Sequence, residues 1–256
     1  MSALSTLLQH PMLWRGNLPS RVKAATGTGF IALDKQLHQG GWPVIGSSEI
    51  LLDQNGIGEL SLLLPGLAQL SRERRIGWLS PPCIPYAPAL KAAGLNPEHC
   101  LLIEASSDRE RLWAAEQMLT SGALAAVMTW FARTPTDRDL RRLHLAAQQG
   151  HCWHIHFRPS QYARNSSPAP LRMQLRPDNN SLQITLCKQP GGWSGQTLNL
   201  PRAEQLTTRQ QSGPRWPYYP SRRQRRPTQT RLTNAPAESP LITTAIPPAT
   251  RMVRHL

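Results

Sequence analysis

The chain predicts an α/β fold with a mainly parallel sheet covered by helices on both faces, and three features carry that prediction. Short apolar strands alternate with helical patterns from about residue 45 to residue 158, the rhythm of βαβ units. The stretch ALAAVMTWF (123–131) is apolar almost throughout, as a strand buried on both faces requires. Between an apolar strand and a leucine-rich helix stands a glycine-bearing turn, EILLDQNGIGELSLLLP (49–65), in the outline of a phosphate-binding loop.

Taken in order, residues 1–25 are expected to form an arm with a short helix. Leu4, Leu7 and Leu8 fall at helical spacing, and Pro11 and Pro19 limit the length. Leu33 and Leu37 lie on one face of a second short helix, closed by Gly40, Gly41 and Pro43. SEILL enters the loop, and Leu60, Leu63, Leu64 and Leu67 stripe the helix after it, which Pro65 should kink. Residues 76–79 read as a strand. Pro81, Pro82 and Pro85 make a stiff turn, and residues 86–93 form a short helix stopped by Gly94.

A strand at 101–104 is followed by a helix that Ser107 and Glu110 should cap as a capping box. Gly122 ends it, strand 123–131 follows, and Thr136 can cap the helix carrying Leu140, Leu143 and Ala147 inward. HCWHIHF is the next strand. Beyond Pro159 the period changes to two: LRMQLR and LQITLCK flank a turn at 177–180 and read as an antiparallel hairpin on the sheet edge, with TLNL as a further short strand. Residues 26–200 thus form the α/β domain. Residues 201–256, with nine prolines and little apolar periodicity, are expected to be disordered.

The formal charge is +14, from 29 basic and 15 acidic residues, and the tail from 201 onward holds ten Arg against two Glu. That asymmetry calls for an anionic partner. Within the tail, Arg222, Arg223, Arg225 and Arg226 follow Trp216, Tyr218 and Tyr219, a basic-aromatic cluster able to neutralise phosphates and stack on unpaired bases of single-stranded DNA, or to dock on a protein. Four scattered cysteines with no CxxC pair argue against a disulfide framework and a structural zinc site. With no leader pattern and no bilayer-length apolar run, a soluble cytoplasmic protein is expected.

The loop chemistry is degenerate. Gly56 and Gly58 stand where the loop turns into its helix, but Glu59 and Leu60 follow, where a phosphate-neutralising Lys and a magnesium-binding Ser or Thr are needed. Cys152, His154 and His156 share a strand face, but no fourth ligand is near; simple alternation, with Trp153, Ile155 and Phe157 toward the core and the imidazoles toward water or another layer, accounts for them. Arg141, Arg142 and His144 read as a solvated helix face. His10, His38, Asp34 and Asp53 form no nucleophile–base–acid set, and Ser47-Ser48 lacks a nucleophile elbow.

From TGFIALDKQL through residue 160 or so, the order of motifs resembles the RecA core. GGWP (40–43), GIGELSLLLP (56–65), PYAPAL (85–90), WAAEQML (113–119) and LRRLHLAA (140–147) resemble the ImuA family of translesion-synthesis accessory proteins, which shares a superfamily with the cell-division inhibitor SulA. The RecA resemblance implies a Lys and a Thr at Glu59 and Leu60, a catalytic Glu at Pro82, and a metal-supporting Asp where Thr129-Trp130 ends its strand. All four are replaced, so a pseudo-ATPase without cofactor or metal is expected. The ImuA resemblance implies a non-enzymatic factor of the DNA-damage (SOS) response. Its partners would be an ImuB-like Y-family polymerase homologue, an error-prone DnaE-type polymerase and RecA. Two alternatives stand beside it: a SulA-like inhibitor binding FtsZ, and an ATP-binding RecA-like recombinase.

Overall fold

The computed structural model describes residues 25–201 and 253–255. Eleven strands and five α-helices follow one another along these residues. A two-stranded ribbon pairs β1 (Ala25–Thr26) with β2 (Trp42–Pro43), and α1 (Ile31–Gln36) lies between them. The GGWP segment therefore does more than stop a helix: it supplies a strand.

The main sheet has the order β10-β9-β8-β3-β7-β6-β4-β5-β11. Its parallel centre consists of β3 (Gly46–Leu51), β4 (Arg75–Leu79), β5 (Cys100–Ile103), β6 (Leu124–Trp130) and β7 (Trp153–Arg158). The hairpin of β8 (Leu171–Asp178) and β9 (Ser181–Lys188) joins through β8, which runs parallel to β3, and β10 (Thr197–Pro201) closes that side. The opposite edge differs from the expectation of a wholly disordered tail. Residues Val253–His255 form β11, antiparallel to β5, with Val253 opposite Ile103. An edge strand leaves a row of unpaired backbone groups, and β11 satisfies part of that row.

Helices cover both faces. On one, Leu33 and Leu37, with Leu62, Leu63 and Leu67 of α2 (Glu59–Leu70) and Leu90 of α3 (Ala87–Ala92), pack on Ile50, Trp78, Trp153 and Ile155. On the other, Ala114, Ala115 and Leu119 of α4 (Asp108–Thr120) and Leu143 and Ala147 of α5 (Asp137–Gln149) pack on Leu79 and Val127. Helix α2 runs through Pro65 as one element. Its Gly66 lies against Trp42, where an added Cβ would stand 2.7 Å from the indole, and Trp42 stacks on Trp153 at 5.5 Å. A large buried indole can sit that close to a helix axis only where the helix has no side chain.

Thr136 forms a full capping box with Asp139 at α5. At α4 the arrangement is looser than expected: Ser107 Oγ accepts from Glu110 N, but the Glu110 carboxylate accepts from Ser106 N, one residue before the cap.

Candidate functional site

The site lies at the carboxyl ends of the parallel strands, where open α/β sheets place their ligand crevices. Strand β3 ends at Leu51 and the chain turns through residues 52–58 into α2. Gly56 and Gly58 have φ of +85° and +116°, a left-handed backbone that favours glycine. This conformation directs the amides of Gly56 and Gly58 into one concavity at the helix N-terminus, the arrangement with which such loops bind anions.

The concavity is filled by the chain itself. The Glu59 carboxylate folds back over the loop, with Gly56 N donating to its Oε1 at 2.8 Å and Oε2 at 3.0 Å, and Gly58 N donating to Oε2 at 3.1 Å. Glu59 is buried, at 4% exposure. In the sequence, Glu59 stands where a phosphate-neutralising Lys is needed. The geometry goes further, because its carboxylate takes the donors a phosphate would need. Asp53 accepts from Ser160 N at 3.1 Å and ties the loop to the segment after β7. Leu60 brings no oxygen and lines the neighbouring cavity.

That cavity, about 330 Å³, opens between α2 and the chain after β4; Leu60, Leu64, Trp78, Ile84, Tyr86 and Trp130 are among its walls. Pro82, at the position of the catalytic Glu in the RecA resemblance, is also in the wall. Trp130 stacks between Trp78 (6.1 Å) and Phe157 (4.6 Å), forming a ladder across the ends of β4, β6 and β7. In the sequence, Phe157 is expected toward the core, Trp130 ends an apolar strand and Trp78 lies within the strand at 76–79, with nothing local to group them. Their shared signal was position: Trp78 lies next to the end of β4, Trp130 ends β6, and Phe157 lies next to the end of β7.

Thr129, beside the expected metal-supporting position, is consumed in a buried chain: its Oγ1 meets His154 Nε2 at 3.0 Å, and Ser47 Oγ meets His154 Nδ1 at 3.0 Å. Burial, and then the neighbouring His156 and His144, hold His154 well below the usual imidazole range, so it is neutral. This serine–histidine pair is sealed from solvent and offers no nucleophile to a substrate. His154 and His156 were expected to face water or another layer; both are buried and stacked at 5.1 Å, on the sheet face toward α5. Burial pushes the Cys152 thiol up to about 12, so it remains an uncharged thiol. Among the described residues, no group of three His, Cys, Asp or Glu is placed to hold a metal.

The strongest electrostatic feature was not foreseen. Glu49, fully buried in β3, pairs with Arg158 of β7 at 2.6 Å and with Arg172 of β8, and His156 Nε2 lies 3.8 Å away. Burial alone would raise this carboxyl; His156, Arg172 and Arg158 outweigh it and hold it below the usual carboxylate range. Arg172 also donates to the carbonyls of Tyr162 and Asn165, and Arg158 lies 4.5 Å from the Tyr162 ring centroid. The cluster pins β8 and the segment after β7 to β3.

Of the residues read as a solvated face of α5, Arg141 and Arg142 are exposed, with Arg142 paired to Glu116, whereas His144 is half-buried and its Nδ1 accepts from Ser47 N. Trp216, Tyr218, Tyr219, Arg222, Arg223, Arg225 and Arg226 lie outside the described residues, as does the 1–24 arm. Among the described residues, no helix is long and apolar enough to cross a membrane.

Residues 47–154 match the family model of the cell division inhibitor SulA. That span contains the loop, the cavity and most of the aromatic ladder. A curated relative, the cell division inhibitor SulA of Pseudomonas aeruginosa, is 34% identical over 103 residues, which are 39% of this chain and 63% of the relative. The chain therefore aligns with somewhat under two thirds of that protein. The crystal structure of Pseudomonas aeruginosa SulA is matched at 28% identity over 44% of this chain and 97% of that one, with a TM-score of 0.37. The crystal structure of the RadB recombinase covers 70% of this chain and 97% of its own at 15% identity, with a TM-score of 0.54, a likeness of fold alone.

Proposed function

We propose that this chain is a non-catalytic, partner-docking protein of the SOS damage response, built on a RecA-shaped core whose nucleotide site has been closed from within. The observation that carries the reading is the Glu59 carboxylate on the amides of Gly56 and Gly58. A triphosphate would have to expel a bound anion from the same donors and would meet neither a loop Lys nor a magnesium ligand. Phosphoryl transfer depends on those electrostatic elements. The expected result is no steady-state ATP turnover and no saturable ATP binding by the pure protein; turnover that Glu59 substitutions abolish would overturn the reading and favour an ATP-using recombinase.

For the partner, the SulA match over residues 47–154 favours inhibition of cell division through FtsZ. A second reading, an accessory role in lesion bypass with an ImuB-like polymerase homologue, a DnaE-type polymerase and RecA, is favoured by what lies outside that match. The β1–β2 ribbon precedes it and the β8–β9–β10 edge follows it. Two measurements on full-length protein separate the readings: FtsZ polymerisation in its presence, and affinity capture from DNA-damaged cells. Inhibited polymerisation supports the division inhibitor. Unaffected polymerisation with recovery of the polymerase homologue or RecA supports lesion bypass. On either reading the Trp216–Arg226 cluster is the candidate contact for single-stranded DNA, giving binding that weakens with salt and is lost on truncation at 201.

A further inference from the structure

We infer that this chain associates head to tail with a second copy of itself, the Trp193 indole of one copy seating in the apolar cavity beside the closed loop of the next. Among the described residues Trp193 is the most exposed large apolar side chain, at 83%. It stands on the turn PGGWSG (190–195) between β9 and β10. That turn is tied down. Gln189 Oε1 accepts from His38 N at 3.0 Å, and Gln189 Nε2 donates to Gln36 O at 3.2 Å and to Trp193 O at 2.8 Å. Gly191 has a φ of +73°, and a Cβ added there would stand 2.7 Å from the His38 ring, so the turn is pressed onto the end of α1. The backbone beneath the indole is therefore fixed before any contact is made. A side chain presented in this way loses little freedom on docking, and tryptophan is enriched among the residues that dominate interfaces.

The chain also carries a hole of matching chemistry. The cavity walls include Leu60, Leu64, Trp78, Trp130 and the rings of Pro65 and Pro82. At about 330 Å³ it lies at the small end of the range for binding pockets, with room for one large aromatic side chain. Indole walls favour an aromatic occupant, because offset and edge-to-face ring pairs gain more than the area they bury.

Knob and hole do not meet within one chain. Strand β8 runs parallel to β3 and β9 runs antiparallel to β8, so the turn after β9 lies toward the amino ends of the parallel strands, whereas the cavity lies at their carboxyl ends. Strands β9 and β4 are also five places apart in the sheet order, roughly 24 Å. A pair joined through one indole leaves one turn and one cavity free. The contact is heterologous, and it propagates as an open chain unless the rotation between copies closes a ring. This self-association goes beyond the proposed function and holds whichever partner that function uses.

Sedimentation equilibrium of the full-length protein tests it. A contact anchored by one side chain falls in the small, transient class. The weight-average mass should therefore rise above that of the monomer between roughly 10 µM and 1 mM protein. Trp193→Ala removes the knob, and Ile84→Asp places a carboxylate on the cavity wall. Both native side chains are exposed, Ile84 at 68%, so both variants should keep the wild-type circular dichroism and melting curve. Each alone should weaken association about thirtyfold, the effect of losing one dominant interface residue. An equimolar mixture should restore it, because the turn of the Ile84→Asp chain fits the cavity of the Trp193→Ala chain, and growth should stop at two copies. Wild type that stays monomeric across the range would overturn the inference. So would a Trp193→Ala protein that associates like wild type, or a mixture that forms no heterodimer or grows past it.

Discussion

Replacing Glu59 by alanine isolates what the internal carboxylate does. The side chain removed is buried and is held by two backbone donors, Gly56 N and Gly58 N, through three contacts of 2.8–3.1 Å. Hydrogen bonds to a charged group contribute about 1.5–3 kcal/mol each, and a carboxylate in the first helical turn adds about 0.3–1 kcal/mol. Gly56 is exposed in the structure, so water can replace part of that loss. The net destabilisation should therefore be about 2 kcal/mol, a fall in Tm of about 4–8 °C for a domain of this size. The assay is urea unfolding followed by circular dichroism, repeated in inorganic phosphate. With Glu59 gone, the two amides face an empty concavity at a helix N-terminus, and phosphate should recover part of the lost stability in proportion to RT ln(1 + [L]/Kd). Wild type, with its donors taken, should show no such specific gain. An alanine variant as stable as wild type, or one that phosphate stabilises no more than it does wild type, would refute the self-occupied cradle.

Two buried titrating groups set separate pH windows. The folded-state pKa of His154 is depressed, so the unfolded chain takes up the proton first and stability should fall as pH drops below about 6.5; His154→Gln should flatten that limb in pH-dependent melts. Glu49 is depressed too, so the stability it contributes is complete above about 4.3 and is lost as pH falls further. Glu49→Gln leaves Arg158 and Arg172 buried without their counter-charge and should cost about 3–5 kcal/mol at pH 7 by chemical denaturation. Gly66→Ala drives a methyl to 2.7 Å from the Trp42 indole and should lower stability by about 1–3 kcal/mol, with a changed near-ultraviolet tryptophan signal. Truncation at residue 252 should speed amide hydrogen exchange at the β5 edge around Leu102 while leaving β6 protected.

The layers of this fold were legible because periodicity reports burial directly. An apolar run such as residues 123–131 has one stable place, the middle of a covered parallel sheet, and the period-two segments after Pro159 fit an edge hairpin. The loop outline was legible for the same kind of reason, since glycine spacing limits the backbone conformations available. What Glu59 does there was not, because it depends on the left-handed φ of Gly56 and Gly58 and on a side chain folding back onto its own loop. Glu49 escaped for a different reason. A lone acid in an apolar strand gives no sign of its partners, and here they come from β7 and β8, more than a hundred residues away. The β11 strand was hidden by composition: a proline- and arginine-rich stretch reads as unstructured, and nothing local marks residues 253–255 as an edge partner for β5.

A functioning nucleotide loop has two states, empty and filled, and the difference between them drives conformational change. On the reading proposed above this chain has one. The carboxylate that satisfies the Gly56 and Gly58 amides is covalently part of the loop, so its effective concentration does not vary with nucleotide supply. Nothing at that loop can then switch the exposed surface around Ile84 and Tyr86. Any control over that surface has to come from a segment that competes for it rather than from a bound nucleotide. The rate of Cys83 alkylation tests this, because Cys83 is exposed and lines the cavity beside the loop: it should be the same with and without ATP. A Cys83 rate that moved with ATP would restore the nucleotide as the regulator.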